Sequence, residues 1–346
     1  MSGLKMDQPK GLLRRGWTAT VDDYAIAGDW ACRGNIFSAG DASGSVFGFD
    51  GKSGATRWKH PGIHEGGLLT MAVHPTGSKL ATSGQDGCIR IWSAADGKPL
   101  QTIELGDGWV ETLAWSSDGQ WLAASLSRRV HVYTTDGELA WQSDNHPSTV
   151  SALAWSGAEE LATACYGRVA FYGASTGIVQ QELQWKGSLV SMVLSPDGDI
   201  VACGSQDNSV HFWRRSTGED SQMHGYPCKP SSLSFDPSGT LLATGGAETV
   251  TVWSFQGDGP EGTKPGLLEL HVQPISSVAF AHHRSQKLAS GARDGSVVLW
   301  SIQDDGNGKP VGAALLGGSV AGLAWRPDDR GLAALDGSGR ITVWRI

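Results

Sequence analysis

Charge is scarce in this chain: Asp, Glu, Lys and Arg make up only 18% of its 346 residues. That excludes a coiled coil and a charged disordered tail, which both need far more. Basic residues are the rarer sign, 27 against 35 acidic, for a net charge of −8. No nucleic-acid partner working through a broad basic surface is expected, because phosphate binding needs clustered Lys and Arg. Long apolar runs are missing too. No stretch of eighteen apolar residues occurs, so no membrane span is predicted. The N-terminus, Met1-Ser-Gly-Leu-Lys-Met-Asp-Gln-Pro-Lys10, lacks the apolar core of a signal peptide. Cysteine is sparse and odd in number: Cys32, Cys88, Cys165, Cys203 and Cys228 lie at least 25 residues apart with no C-x-x-C. A disulfide framework is not expected, and a cytoplasmic location fits. What the chain does have is 48 Gly, 15 Trp and 40% hydrophobic residues, ample for a core. Length alone suggests about two domains, but a closed all-β structure escapes that prior.

A short pattern recurs, with alternating apolar residues ending in an aromatic. It reads Ser45-Val-Phe-Gly-Phe49, Ile89-Arg-Ile-Trp92, Val130-His-Val-Tyr133, Val169-Ala-Phe-Tyr172, Val210-His-Phe-Trp213, Val250-Thr-Val-Trp253, Val297-Val-Leu-Trp300 and Ile341-Thr-Val-Trp344. The aromatics are separated by 43, 41, 39, 41, 40, 47 and 44 residues. Two further strand-like segments precede each copy, for example Thr112-Leu-Ala-Trp115 and Leu161-Ala-Thr-Ala-Cys165. A fourth follows it, as in Leu139-Ala-Trp-Gln142. Turn signals such as Ser117-Asp-Gly119 and Pro196-Asp-Gly198 separate them.

No helical period competes, so the chain is predicted all-β and antiparallel. Four short strands per repeat of about 42 residues is the unit of a β-propeller blade, and one blade cannot bury both its faces alone. The expectation is a single domain over residues 12–346, with residues 1–11 flexible. The intervals predict eight blades, with seven as the alternative because the unit from Tyr24 to Phe49 departs most from the pattern. The chain stops two residues after Trp344, so the last unit lacks its fourth strand. Leu12-Leu-Arg-Arg-Gly-Trp-Thr-Ala-Thr20 is the segment expected to supply it, closing the ring and removing sheet edges.

These motifs resemble the WD-repeat (WD40) family over roughly residues 20–346. The resemblance implies a relay of His, Ser or Thr, Asp and Trp within a blade. Two units match at all four positions: His64, Thr82, Asp86 and Trp92, and His271, Ser290, Asp294 and Trp300. Such a relay would satisfy a buried indole N–H, imidazole and carboxylate together. Other units depart. The fifth has Asp207 and Trp213, but Cys203 replaces the hydroxyl residue and no His precedes it. The fourth has His146 and Thr163 without the Asp, and the sixth has Thr244 and Trp253 without it.

Catalytic patterns are weak. Gly173-Ala-Ser-Thr-Gly177 matches G-x-S-x-G, but a hairpin turn replaces the strand-to-helix elbow that an active serine needs. Gly257-Asp-Gly-Pro-Glu-Gly262 matches G-x-G-x-x-G, but no helix follows to meet a phosphate. No catalytic residue, no cofactor and no enzyme activity are therefore expected. For metal, the candidates are His146 with Cys165 near the top of the fourth unit, and the closely spaced pair His224 and Cys228. They define an alternative reading as a metal-handling accessory protein, against a default of satisfied or solvated side chains. A propeller enzyme is the remaining alternative.

The leading expectation is a non-catalytic scaffold that binds a protein or peptide partner. The resemblance implies that the loops entering each unit, and the turns before the aromatic strand, line a top face around the central channel. Position by position, that face takes Tyr24, Leu69, Gln85, Trp109, Glu111, Gln206, Lys229 and Arg293, together with Asp22, Leu126, Thr149, Ser151 and Ser276. Tyr24, Trp109 and Arg293 are of the types that dominate interface energetics. Trp109 is the most informative, because its ring either packs into its own blade or faces a partner.

Overall fold

The computed structural model describes residues 9–257, 259–284 and 286–346. Each unit is a meander of short antiparallel strands. The third is typical: Val110–Trp115, Trp121–Leu126, Arg129–Thr134 and Leu139–Gln142 lie side by side in that order. Leu113 faces Ala124, Ala124 faces His131 and Val132 faces Trp141. The second and third strands are almost wholly buried, and the fourth is mostly exposed. That gradient explains the sequence. Inner strands are covered on both faces by neighbouring blades, so they carry near-continuous small and branched apolar residues. The outer strand meets water.

The cores lie between units, not within them. Ile89 and Ile91 of the second unit pack with Val110, Trp115, Leu122 and Tyr133 of the third. Tryptophans rivet the units together with hydrogen bonds. Trp115 Nε1 donates to Ala72 O at 3.2 Å, Trp155 Nε1 to Ala114 O at 2.9 Å, and Trp325 Nε1 to Ala279 O at 2.9 Å, each from one innermost strand to the preceding one. Trp30 Nε1 donates to Ala324 O at 3.2 Å, across the junction of first and last units. An outer set runs forward: Trp58 Nε1 to Ala94 O at 3.2 Å, Trp141 Nε1 to Ala174 O at 2.6 Å and Trp17 Nε1 to Gly51 O at 3.0 Å.

The ring closes as expected. Arg14–Thr20 pairs with Arg340–Arg345 as the outer strand of the last unit, Trp17 facing Val343. Trp17, Ile341 and Val343 then share a core with Phe37, Phe47 and Phe49 of the first unit. Lys10 and Gly11, counted with the flexible N-terminus in the sequence reading, instead form a short strand against Gly308–Leu315 of the seventh unit. Residues 1–8 of that expectation lie outside the described residues.

The described strands form seven sheets, five of four strands, one of five and one of six. Seven sheets are the alternative count and not the eight expected first, and the reason is not the first unit, which is a full four-stranded sheet. In the fourth and fifth units the long strands Glu160–Gly173 and Val179–Leu194 pair through Tyr166 and Ser188, which fuses two units into the six-stranded sheet. The eight sequence units still each place one innermost segment in a closed circle around the channel.

Candidate functional site: the top face of the propeller

The innermost strand of each unit starts at one end of the ring, and antiparallel pairing returns the turn between second and third strands to that same end. Entering loops and these turns therefore share a face. A bulge marks where several innermost strands reach it. Val110 pairs with Leu126 and Thr112 with Ser125, so Glu111 is skipped. Leu69 is skipped between Leu68 and Thr70, and Ser276 between Ile275 and Ser277. A bulge leaves a residue unpaired and re-aims its side chain at a strand end. Leu69, Glu111 and Ser276 are all expected face residues, and the bulge they share is a feature of the strand pairing that the sequence does not display.

The relays hold the face from below. His64 is buried, with Nε2 2.9 Å from Thr82 Oγ1 and Nδ1 3.1 Å from Asp86 Oδ1. Trp92 Nε1 donates to Thr82 Oγ1 at 2.9 Å, and Arg90 donates to Asp86 Oδ2 at 2.6 Å. In the seventh unit, His271 Nε2 lies 2.7 Å from Ser290 Oγ, which also accepts from Trp300 Nε1 at 2.7 Å. There His271 reaches Asp294 through Ser296, whose hydroxyl lies 2.5 Å from His271 Nδ1 and donates to the carboxylate. Burial lowers the pKa of His64, and that of His271 to about 4.

Units lacking a full motif use substitutes that the sequence reading missed. In the sixth, Tyr226 takes the place of the His: its hydroxyl accepts from Trp253 Nε1 at 2.8 Å and from Thr244 Oγ1 at 3.0 Å. In the fourth, the Tyr172 hydroxyl lies 3.2 Å from His146 Nε2, standing where an indole would. In the fifth, buried His211 stacks on Trp185 at 3.8 Å and meets Trp213 edge-on at 4.2 Å. In the first, buried Asp41 accepts from the backbone N–H of Asp22 and Asp23 at 3.0 and 3.2 Å, fixing the loop that carries Tyr24. Asp294 does the same for the loop entering the seventh unit, through Val272 N at 3.0 Å. The only sequence signal for Asp41 was an Asp followed by Ser43 and Ser45.

The predicted face residues sit around this rim. Tyr24 is 42% exposed and Trp109 53% exposed, and Trp109 alone of the tryptophans is exposed among the described residues. More than half of its surface is open to water. Glu111, Gln206, Lys229 and Arg293 are exposed, and Leu69 and Gln85 half-buried. The second and third units bring some of them together. A Cβ on Gly66 would stand 3.1 Å from Gln85, and one on Gly87 would strike Gly106 O. Gln206, Lys229 and Arg293 belong to the fifth, sixth and seventh units, further round the ring. Beside the channel, Ala27, Gly28, Asp29, Met71, Gly322 and Leu323 help line a cavity of about 400 Å³.

The metal candidates do not converge. His146 has Nε2 3.0 Å from Thr163 Oγ1 and Nδ1 3.1 Å from Arg128 O, so both ring nitrogens are engaged. Cys165 is buried and donates to Tyr166 O and Arg168 O, and Cys228 donates to Gly246 O, while His224 is exposed. Burial raises both thiols, which opposes the thiolate a metal requires. No group of three or more His, Cys, Asp or Glu side chains suited to a metal occurs among the described residues. Ser175 lies in a turn between two strands, not at an elbow. Asp258 of the second glycine motif lies outside the described residues, and that motif falls between two strands.

Comparison with known proteins agrees with this architecture. The profile "WD domain, G-beta repeat" matches residues 60–93, 97–134, 179–214, 221–254 and 262–301. The chain belongs to the WD40 repeat family. It is 28% identical to WD repeat-containing protein 90 of Xenopus tropicalis, over 57% of this chain and 12% of that protein. It is 24% identical to Protein HIR1 of Mycosarcoma maydis (81% and 32% covered) and 23% identical to Autophagy-related protein 16 of Arabidopsis thaliana (81% and 56%). The chain thus spans less than two thirds of the length of these relatives. Among solved structures, the computationally designed Ika8 protein superposes with a TM-score of 0.82 at 20% identity, over 96% of this chain and 100% of that one. The RRP9 WD40 repeats superpose with a TM-score of 0.65 at 17% identity, over 80% and 94%.

Proposed function

We propose that this propeller is a non-catalytic scaffold that docks a protein or peptide partner on its top face and channel mouth. The exposure of Trp109, where the other fourteen tryptophans are buried or half-buried and many of them serve as inter-blade rivets or relay members, carries this reading. Large aromatic side chains left in water on a rigid frame are characteristic binding anchors. Membership of a repeat family built on interaction surfaces supports it. A cytoplasmic location is proposed with it, supported by five free cysteines. Affinity purification from the native host tests the function, comparing the wild type with Trp109→Ala and with a Lys229→Ala/Arg293→Ala double variant. Loss of a stoichiometric partner in either variant, with only trace metal in the protein, is the expected result. Capture unchanged by both variants, or stoichiometric metal lost on replacing His224 or Cys228, would overturn the reading.

A further inference from the structure

The top-face sector between the second and third units has an unusual charge balance. Trp109 projects from the loop Leu105-Gly-Asp-Gly-Trp, in which Gly106 and Gly108 hold φ of +116° and +136°. Those values are open to glycine and strained for other residues, so the backbone of this loop is committed. Around Trp109 the exposed charges are Asp107 and Glu111 on its own segment, Glu104 at the adjoining strand end, and Glu65 across Gln85. None of these four acids is ion-paired in the structure. Asp86, in the same sector, is already neutralised by Arg90 at 2.6 Å.

Two exposed cations, Arg128 and Arg129, stand at the turn between the second and third strands of the third unit. Arg128 donates to His146 O at 2.7 Å and Arg129 to Asn145 Oδ1 at 3.0 Å, both in the loop entering the fourth unit. The sector therefore sets one water-exposed indole beside four carboxylates without an ion pair, against two guanidiniums that are held by neutral oxygens of the fourth unit's entering loop. A ring face attracts a cation through its quadrupole, and carboxylates beside it add Coulomb attraction and hydrogen-bond acceptors.

We propose that this sector recognises a basic segment of the partner, with a Lys or Arg side chain laid on Trp109 and held by Asp107 and Glu111. The inference rests on the top-face docking reading and specifies its chemistry. A neutral or acidic peptide leaves the carboxylates unpaired or repelled, and nucleic acid is repelled outright.

Fluorescence anisotropy of the full chain with a labelled short Arg/Lys-Gly-Ser peptide, against the same peptide with Glu for each base, provides the test. Binding of the basic peptide alone is expected, weakening as salt shortens the range of the attraction. Trp109→Ala should weaken it roughly tenfold, and Asp107→Lys/Glu111→Lys should abolish it. Asp304→Asn, in the exposed turn between third and fourth strands at the opposite end of the seventh unit, should leave it unchanged. Equal weakening by Asp304→Asn would reduce the effect to net charge and sink the proposal, as would no binding of the basic peptide. If native-partner capture still depends on Trp109 while the basic peptide fails to bind, docking stands and the cationic ligand is wrong. If capture ignores every top-face variant, the docking reading fails first.

Discussion

At the scale of single residues, this protein is held by polar groups that share partners in dry places. Thr82 Oγ1 serves both His64 and Trp92, so removing it orphans two buried groups at once. Leaving a buried donor unsatisfied costs about 1–3 kcal/mol, so Thr82→Val should lower stability by roughly that amount in urea denaturation. Tyr226→Phe is the sharper case. It removes one oxygen that Trp253 Nε1 and Thr244 Oγ1 both use, and a similar loss of about 1–3 kcal/mol is expected. A Tyr226→Phe protein as stable as wild type would show that water replaces the hydroxyl and that Tyr226 is no true substitute for the missing His. The relays were readable wherever the His, hydroxyl and Asp kept their spacing. Tyr226 was not, because a phenol reaching in from the entering loop looks in sequence like any loop aromatic.

At the scale of elements, the decisive one is Arg14–Thr20. It is remote in sequence from its partner Arg340–Arg345, and it carries Trp17 into the core of the first unit. Trp17→Ala removes that ring and its bond to Gly51 O. Truncating a buried Trp costs about 3–5 kcal/mol, and the loss should fall on the seam. Hydrogen exchange should therefore rise first in Arg14–Thr20 and Arg340–Arg345, and uniform exchange across all blades would contradict a seam. The need for this closing strand was legible, since the last unit ended one strand short. Its extension by Lys10–Gly11 onto the seventh unit was not, because two residues carry no pattern. The fusion of the fourth and fifth units was equally hidden: the Tyr166–Ser188 pairing is a single bridge beyond a register shift, and one bridge carries no pattern.

At the scale of the whole molecule, stability should depend on acid. His64, His131, His146, His211 and His271 are buried, and burial lowers the pKa of each. For His211 and His271 the folded value is about 4 against 6.5 when free. These groups are neutral in both states above pH 6.5, where stability is greatest. As pH falls from there toward 4, the unfolded chain takes up protons that the folded chain refuses, and stability is lost. Each of the two strongly shifted histidines contributes on the order of 3 kcal/mol to that loss. Urea midpoints should drop steeply between pH 7 and pH 5, and His211→Gln should flatten the slope. A midpoint constant over that range would show that these rings stay hydrated.

The periodic aromatic strands, the turn signals between them and the missing last strand are local facts, and they sufficed for an all-β ring with its relays and its closing segment. Local pattern suffices there because each strand's alternation records which of its faces a neighbour covers. Other features were decided only in three dimensions. Trp109 and Trp115 are six positions apart and chemically identical, yet one stands in water and the other donates to Ala72 O across a blade interface. Packing between units separated them: the second is on a strand whose neighbour lies within hydrogen-bonding reach, and the first is on a loop that leaves more than half of it in water. The acidic excess near Trp109 arose likewise, because Arg128 and Arg129 bond neutral oxygens of the fourth unit's loop and not Asp107 or Glu111, a choice that no sequence spacing records.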